Sequence, residues 1–264
     1  MMRRSAITGF ALPLVLWLIA IMTTAIALLA MSASNRHLQS STLGDRVAAE
    51  AAARAGINYA VARMDARLGA QRWLPDGQPR KWDYDGYELT IVIRDEWGKF
   101  DLNAGDPDVL RALMQLDDMP PDEMSAVIEG LGVMRTARLS RQEGMNDAGD
   151  MPTHLFTVAS LSQLRGVSPE ILARLAPELT VYSGRSLPDM GLADARMRTA
   201  LMASGKAVGT PVGIATGSGL YDIDVTAIRP GKPPGRVWVV LQQMPRYDGG
   251  IEIKWLAWGH GVWQ

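Results

Sequence analysis

Cysteine is missing from the whole chain of 264 residues, which excludes disulfides, thiolate zinc sites and cysteine nucleophiles but leaves the compartment open. There is no cluster of lysine or arginine, the formal net charge is -1 and the sequence pI is near 6.3, so a nucleic-acid partner has no electrostatic footprint. Histidine is reduced to His37, His154 and His260, scattered along the chain. No His-Glu-x-x-His or Gly-x-Ser-x-Gly pattern occurs, and the glycines between 205 and 219 match no phosphate loop. The expectation is therefore a chain that is not an enzyme, the catalytic alternative being an acid/base pair assembled from distant carboxylates. With 47% hydrophobic residues and a mean hydropathy of -0.00, neither a disordered chain nor one with several membrane spans fits.

What is present begins with one uncharged apolar run, Phe10 to Ala33, behind the short leader MMRRSAITG. At about 1.5 Å per residue this run reaches roughly 36 Å as a helix, enough to cross a hydrocarbon core of about 30 Å. Arg3 and Arg4 in the leader favour a cytoplasmic N-terminus, which sends the remaining chain to the far side. A cleaved secretory signal peptide is the alternative, since Met31-Ser32-Ala33-Ser34 is a stretch of small residues, but such apolar regions usually span only about 7 to 15 residues.

The stretch Thr8-Gly9-Phe10-Ala11-Leu12-Pro13-Leu14-Val15-Leu16 places glycine and phenylalanine ahead of the apolar run. It resembles the cleavage site of type IV pilin-like precursors. That resemblance implies cutting after Gly9 by a membrane prepilin peptidase, methylation of Phe10 as the mature first residue, and retention of the hydrophobic helix. Most members carry glutamate at the fifth mature position, where this chain has Leu14. A carboxylate inside a bilayer is costly unless paired, and in these filaments its proposed partner is the N-terminus of a neighbouring subunit. A subunit without it suits the end of a filament. Lack of this glutamate is characteristic of the general secretion pathway protein K family, minor pseudopilins of type II secretion, which this chain resembles. Pro13 falls in the first helical turn, where a missing N–H is harmless.

Beyond the apolar run, Leu38, Leu43, Val47, Ala51, Ala55, Tyr59 and Ala62 recur at helical spacings, with Gly56 a weak point, and predict one helix from about residue 10 to about residue 69. Gly69 to Pro79, containing Pro75-Asp76-Gly77, reads as a loop. Tyr87 to Arg94 alternates as a half-buried strand and is expected to form a hairpin with Lys99 to Leu102 across Asp95-Glu96-Trp97-Gly98. The phrase Asp95 to Ala104 resembles the protein K family's acidic-Gly-Lys-apolar-Asn signature. Asn103 or Asp106 suits a helix cap and Pro107 the first helical position, so the carboxylates read as structural, with ligand binding the alternative.

Residues 106 to 180 read as a helical block. Val109, Leu110, Leu113, Met114 and Leu116 make one stripe, and Pro120-Pro121-Asp122-Glu123 opens a helix carrying Met124, Val127, Ile128 and Leu131. Residues 160 to 175 resemble a helix-hairpin-helix unit, but only Arg165 and Arg174 are close by, which favours a packing unit over DNA binding. Met197 to Met202 predicts a short helix and Gly205 to Gly219 a connection. Leu220 to Ile228, Arg236 to Met244 and Ile251 to Trp258, separated by Pro- and Gly-rich turns, predict an antiparallel meander. Glu143, Asn146, Asp147 and Asp150 offer hard oxygen ligands at short spacing, of the kind calcium accepts, with a solvated acidic loop as the alternative. Asp83-Tyr-Asp-Gly86 is a fragment of an EF-hand pattern and equally a common turn sequence.

The fold class expected is α+β, a pilin-like long N-terminal helix packed on an antiparallel sheet with an inserted all-helical domain. Its divisions would be a leader at 1-9, a transmembrane half-helix at 10-33, a pilin-like α/β domain at 34-105 and 181-264, and the helical insertion at 106-180. The resemblance implies a minor pseudopilin that initiates and caps the periplasmic pseudopilus for protein export, single-pass in the inner membrane. Its implied partners are other minor pseudopilins in a tip complex, the major pseudopilin and the prepilin peptidase. The alternatives are a minor pilin of a type IV pilus, which would share the anchor and normally keep the glutamate, and a signal-anchored periplasmic enzyme.

Overall fold

The structure, a computed structural model, describes residues 11–144, 157–207, 212–247 and 250–261, with side chains for 15–26, 43–135 and the later segments. The helix α1 (Ala11–Arg63) is followed by β1 (Arg80–Tyr84), β2 (Tyr87–Asp95), β3 (Phe100–Asp101), α2 (Pro107–Gln115), α3 (Pro121–Gly144), α4 (Pro169–Leu175), β4 (Leu179–Thr180), α5 (Ala195–Ala203), β5 (Leu220–Ile228), β6 (Gly235–Pro245) and β7 (Ile251–His260). The expected α+β class is what the chain adopts. Its compact units divide between Ala48 and Ala49.

In the first unit the described side chains of residues 15–26 are all exposed, Trp17 and Met22 among them. The polar groups of this stretch are satisfied within the helix: the Thr23 hydroxyl donates to the Ile19 carbonyl at 2.9 Å and the Thr24 hydroxyl to that of Ala20 at 2.7 Å. Among the described residues no helix is long and apolar enough to cross a membrane.

The second unit begins with Ala49, Ala52, Ala53, Ile57, Ala60 and Met64, which are buried against β2, β5 and β6. This face differs from the expected one, since Ala51 is exposed and Ala55 and Tyr59 are half-buried. In a helix this rich in alanine the small residues fit either face, and the large Ile57 and Met64 decide the rotation. Gly56 belongs to the contact: a Cβ there would lie 2.7 Å from Val225 Cγ1 and 2.8 Å from Leu89 Cδ2, so its absence lets the helix sit close on the sheet. Helix α1 ends at Arg63, short of the expected residue 69.

The five-stranded sheet is antiparallel throughout, in the order β1-β2-β5-β6-β7. Tyr87, Leu89, Ile91 and Ile93 on β2, with Tyr221, Ile223, Val225 and Ala227 on β5, supply its helix-facing core. The hairpin partner of β2 is β1, closed by Asp85 (φ 51) and Gly86 (φ 75), the left-handed pair a tight two-residue turn requires. The expected hairpin with Lys99 to Leu102 does not form. The 3-10 turn Glu96–Gly98 takes the chain off the sheet, and β3 pairs instead in parallel with β4.

From β3 onward a second core builds around Phe100, Leu102, Val109, Leu113, Met114 and Met124. Asp106 caps α2, accepting from the Asp108 N–H at 2.9 Å, and Pro107 takes the first helical position. Leu116, expected in the apolar stripe, is 41% exposed because α2 ends at Gln115 and turns away. The first half of the helix-hairpin-helix segment is a 3-10 turn, Val158–Gln163, and only its second half, α4, is α-helical. Met197, Ala200 and Leu201 of α5 are buried in this same core, which therefore runs from Phe100 to Leu201 and past the expected boundary at 180. The short α5, isolated between loops, carries no sequence signal for its partner.

Candidate functional site

The segment Asp95 to Ala104 runs between the two cores, and its charges are almost all buried. Asp95 ends β2 and accepts from the Trp97 N–H at 2.9 Å, the Ser218 N–H at 2.7 Å and the Ser218 hydroxyl at 2.6 Å. Burial pushes its carboxyl up, against those Ser218 and Trp97 donors. One turn later, Lys99 is 5% exposed, with Glu96 at 0% and Asp222 at 1%. Lys99 Nζ lies 2.6 Å from Glu96 Oε1 and 3.1 Å from Asp222 Oδ1, while Arg94 Nη1 stands 3.7 Å from Asp222 Oδ2. The Thr180 hydroxyl donates to the other Glu96 oxygen. Burial alone would drive the Lys99 ammonium down, but Asp222 and Glu96 hold it above its ordinary value. Two cations face two carboxylates, so the cluster is neutral as a whole.

Asp101 is completely buried and accepts four hydrogen bonds. Oδ1 takes the N–H groups of Asn103 (2.7 Å) and Ala104 (3.0 Å), and Oδ2 takes the Ser183 hydroxyl (3.0 Å) and the Gly184 N–H (2.8 Å). Trp97 is fixed by Arg185, whose guanidinium lies 4.5 Å from the ring centroid, and the Trp97 carbonyl accepts from the Asp189 N–H at 2.7 Å. Gly98 lies against the backbone of Leu192, where a Cβ would come within 2.3 Å of the carbonyl oxygen. The arrangement fastens backbone to backbone, and the acidic-Gly-Lys phrase works as a clasp.

Beside the clasp is a cavity of about 180 Å³ lined by Asp76, Arg94, Lys99, Glu178, Asp194 and Arg198, among others. Glu178, 7% exposed, is pushed up to about 8 by burial and by its hydrogen bond to the Asp194 carboxyl, with Arg196 and Lys99 pulling the other way. At neutral pH it carries its proton. Among the described residues no group of three or more histidine, aspartate or glutamate side chains is placed to hold a metal ion.

Gly9 and Phe10 lie outside the described residues, as do Asn146, Asp147 and Asp150. Leu14 is within α1 and Glu143 within α3, but their side chains are outside what is described. The leader and the calcium loop therefore stand as expectations. Sequence reasoning did not single out Asp222 and Asp224, which alternate along β5. They are buried, at 1% and 7%, the second held by Arg236 at 2.5 Å. The available signal was the unusual pairing of two carboxylates with an otherwise apolar strand. Glu178 had no signal beyond its place in a helical block.

No family model matches the chain, and no curated protein matches it. A solved structure does: a chain in the crystal structure of the GspK-GspI-GspJ complex from the enterotoxigenic Escherichia coli type 2 secretion system. The TM-score is 0.50 at 12% identity, over 87% of this chain and 99% of that one. At that identity the likeness is one of fold.

Proposed function

We propose that the chain is a minor pseudopilin of a type II secretion system, which initiates the periplasmic pseudopilus and caps its tip for protein export. The observation that carries the reading is the fold likeness over 99% of a chain from a complex of that secretion system, which takes in sheet and helical core together. The leader adds to it: Gly9-Phe10 ahead of the apolar run suits processing by a prepilin peptidase, and Leu14 in place of glutamate suits a subunit with none ahead of it. The apolar segment 10–33 would hold the chain in the inner membrane with its N-terminus cytoplasmic and its C-terminal part periplasmic. Its partners would be other minor pseudopilins in a tip complex, the major pseudopilin below them and the peptidase.

Two measurements test this. Mass spectrometry of the N-terminus should find N-methylated Phe10, and an intact Met1 or a start after Ala33 would remove the pseudopilin reading. Immunogold labelling of assembled filaments should mark one end only, and regular label along the shaft would remove the cap. Calcium at Glu143, Asn146, Asp147 and Asp150 is part of the proposal and is tested by a calcium-dependent rise in the melting temperature of the full-length chain, lost on Asp147→Asn with Asp150→Asn.

A further inference from the structure

Glu50 and Arg54 stand one turn apart on α1 and meet the C-terminal end of β7, the edge strand that pairs with β6 alone among the described strands. Arg54 Nη2 lies 3.3 Å from His260 Nε2, and Glu50 Oε2 lies 3.4 Å from His260 Nδ1. The same Arg54 guanidinium stands over Trp258, 5.8 Å from the ring centroid. Helix and sheet are held close at this point, since a Cβ on Gly235 at the start of β6 would run into the Ala49 backbone. A guanidinium only donates, so His260 Nε2 must offer its lone pair and the ring proton sits on Nδ1, toward Glu50. The ring is thus neutral histidine in one defined tautomer.

We propose that His260 is a pH switch at the edge of the sheet: neutral, it holds Arg54 over Trp258, and protonated, it lets Arg54 go and uncovers the ring. The proton comes from solvent and takes the Nε2 lone pair, the site that accepted from Arg54. Two N–H groups then face each other with a positive charge behind each. His260 is already turned to Glu50 through Nδ1, and that contact becomes an ion pair. Arg54, exposed and on a long stem, is the group that leaves. Trp258 is 42% exposed with Arg54 in place and packs edge-to-face on Trp255, itself 45% exposed, so release widens an aromatic surface on the edge strand at acid pH.

One charge on each side of the ring decides its state. On α1 the next charged residue before Glu50 is Arg46, which is engaged, as is Lys232 in the turn before β6. On β6, Arg236 is bound to Asp224 of β5 at 2.5 Å, and its carbonyl accepts from the Gly261 N–H at 2.9 Å, which fixes the strand end beside the ring. On β7 itself the other charged residues, Glu252 and Lys254, lie well back along the strand. The contest is therefore between Arg54, which favours the neutral ring, and Glu50, which favours the charged one. Histidine is the side chain whose ordinary charge change falls between about pH 5 and pH 8, so this contact answers to mild acid where a lysine or glutamate there would not.

The test is NMR of the full-length chain in detergent micelles from pH 5 to pH 9, with nitrogen-labelled histidine and fluorinated tryptophan. The chain has 3 histidines and 8 tryptophans, so His260→Gln and Trp258→Phe assign the two signals directly. At pH 9 His260 should show the Nδ1–H tautomer. The Trp258 fluorine signal should move with the same midpoint as the His260 ring and stay still in His260→Gln. Arg54→Met removes the donor that opposes protonation, so the His260 midpoint should rise by about half to one pH unit while the Trp258 signal loses most of its response. An Nε2–H ring at pH 9, a Trp258 signal that ignores the His260 titration or persists in His260→Gln, or a midpoint unmoved in Arg54→Met would overturn the switch. If His260→Gln fails to fold, Arg54→Met at its exposed position decides alone, a raised midpoint sustaining the proposal and an unmoved one overturning it.

Discussion

Replacing Lys99 by methionine removes the cation at the centre of the clasp while keeping most of the side-chain volume. What is left is Glu96 at 0% and Asp222 at 1% exposure, with Arg94 reaching only Asp222, at 3.7 Å. Breaking a buried ion pair from one side leaves an uncompensated charge and costs about 3–5 kcal/mol, a third or more of a typical domain's stability of about 5–15 kcal/mol. The assay is urea unfolding of the full-length chain at two pH values. Without Lys99 the Glu96 carboxyl, already pushed up by burial, rises further. A raised carboxyl stabilises the protonated folded state, and that contribution is lost as pH rises, so the deficit of Lys99→Met should be larger at pH 8 than at pH 5. Adding Glu96→Gln and Asp222→Asn removes the orphaned charges and should recover at least half the loss. A deficit under about 1 kcal/mol at pH 7, or one that ignores pH, would refute the assignment of these three groups as a mutually dependent buried cluster.

Asp101→Ala leaves four donors, the N–H groups of Asn103, Ala104 and Gly184 and the Ser183 hydroxyl, without their acceptor, and should cost about 3 kcal/mol or more in the same urea assay. Gly98→Ala forces a Cβ within 2.3 Å of the Leu192 carbonyl oxygen, against backbone on the far side, and should lower stability by about 2–4 kcal/mol with loss of native Trp97 fluorescence. The Glu178 carboxyl is raised from 4.5 to about 8, so the stability it confers is full at low pH and drains away between those values; the unfolding midpoint should fall across that window in the wild type and stay level in Glu178→Gln.

The strands were legible because their signals are local. Tyr87 to Asp95 alternates, the meander from Leu220 to His260 is punctuated by glycine and proline, and Asp106-Pro107 is a cap that works by itself. β1 was hidden because Arg80-Lys-Trp-Asp-Tyr84 is polar and half-exposed, and its evidence is the Asp85-Gly86 turn, in a stretch that read equally as an EF-hand fragment and as a common turn. The helix-facing side of α1 was ambiguous for want of large residues. The clasp illustrates a different limit: its sequence phrase stood out, but outside the bonds made within residues 95–104 most of its partners lie more than 75 residues away. Thr180, Ser183, Asp189, Leu192, Ser218 and Asp222 reach it only through tertiary structure.

That dispersal explains why charge is tolerated at the boundary between two apolar cores. A purely apolar joint is non-directional and can slide, whereas each bond of the clasp fixes one atom against another. Asp95 ties β2 to the loop before β5, Lys99 ties the same turn to β5 itself, and Asp101 ties β3 to the chain after β4. The first two hold the segment to the sheet and the third to the helical core, so the position of one core on the other is set within a single short stretch. Load applied to the sheet would reach the helical core through that stretch. Its resistance would depend on several bonds breaking together, because Glu96 and Lys99 share a neutral cluster that is stable only while complete.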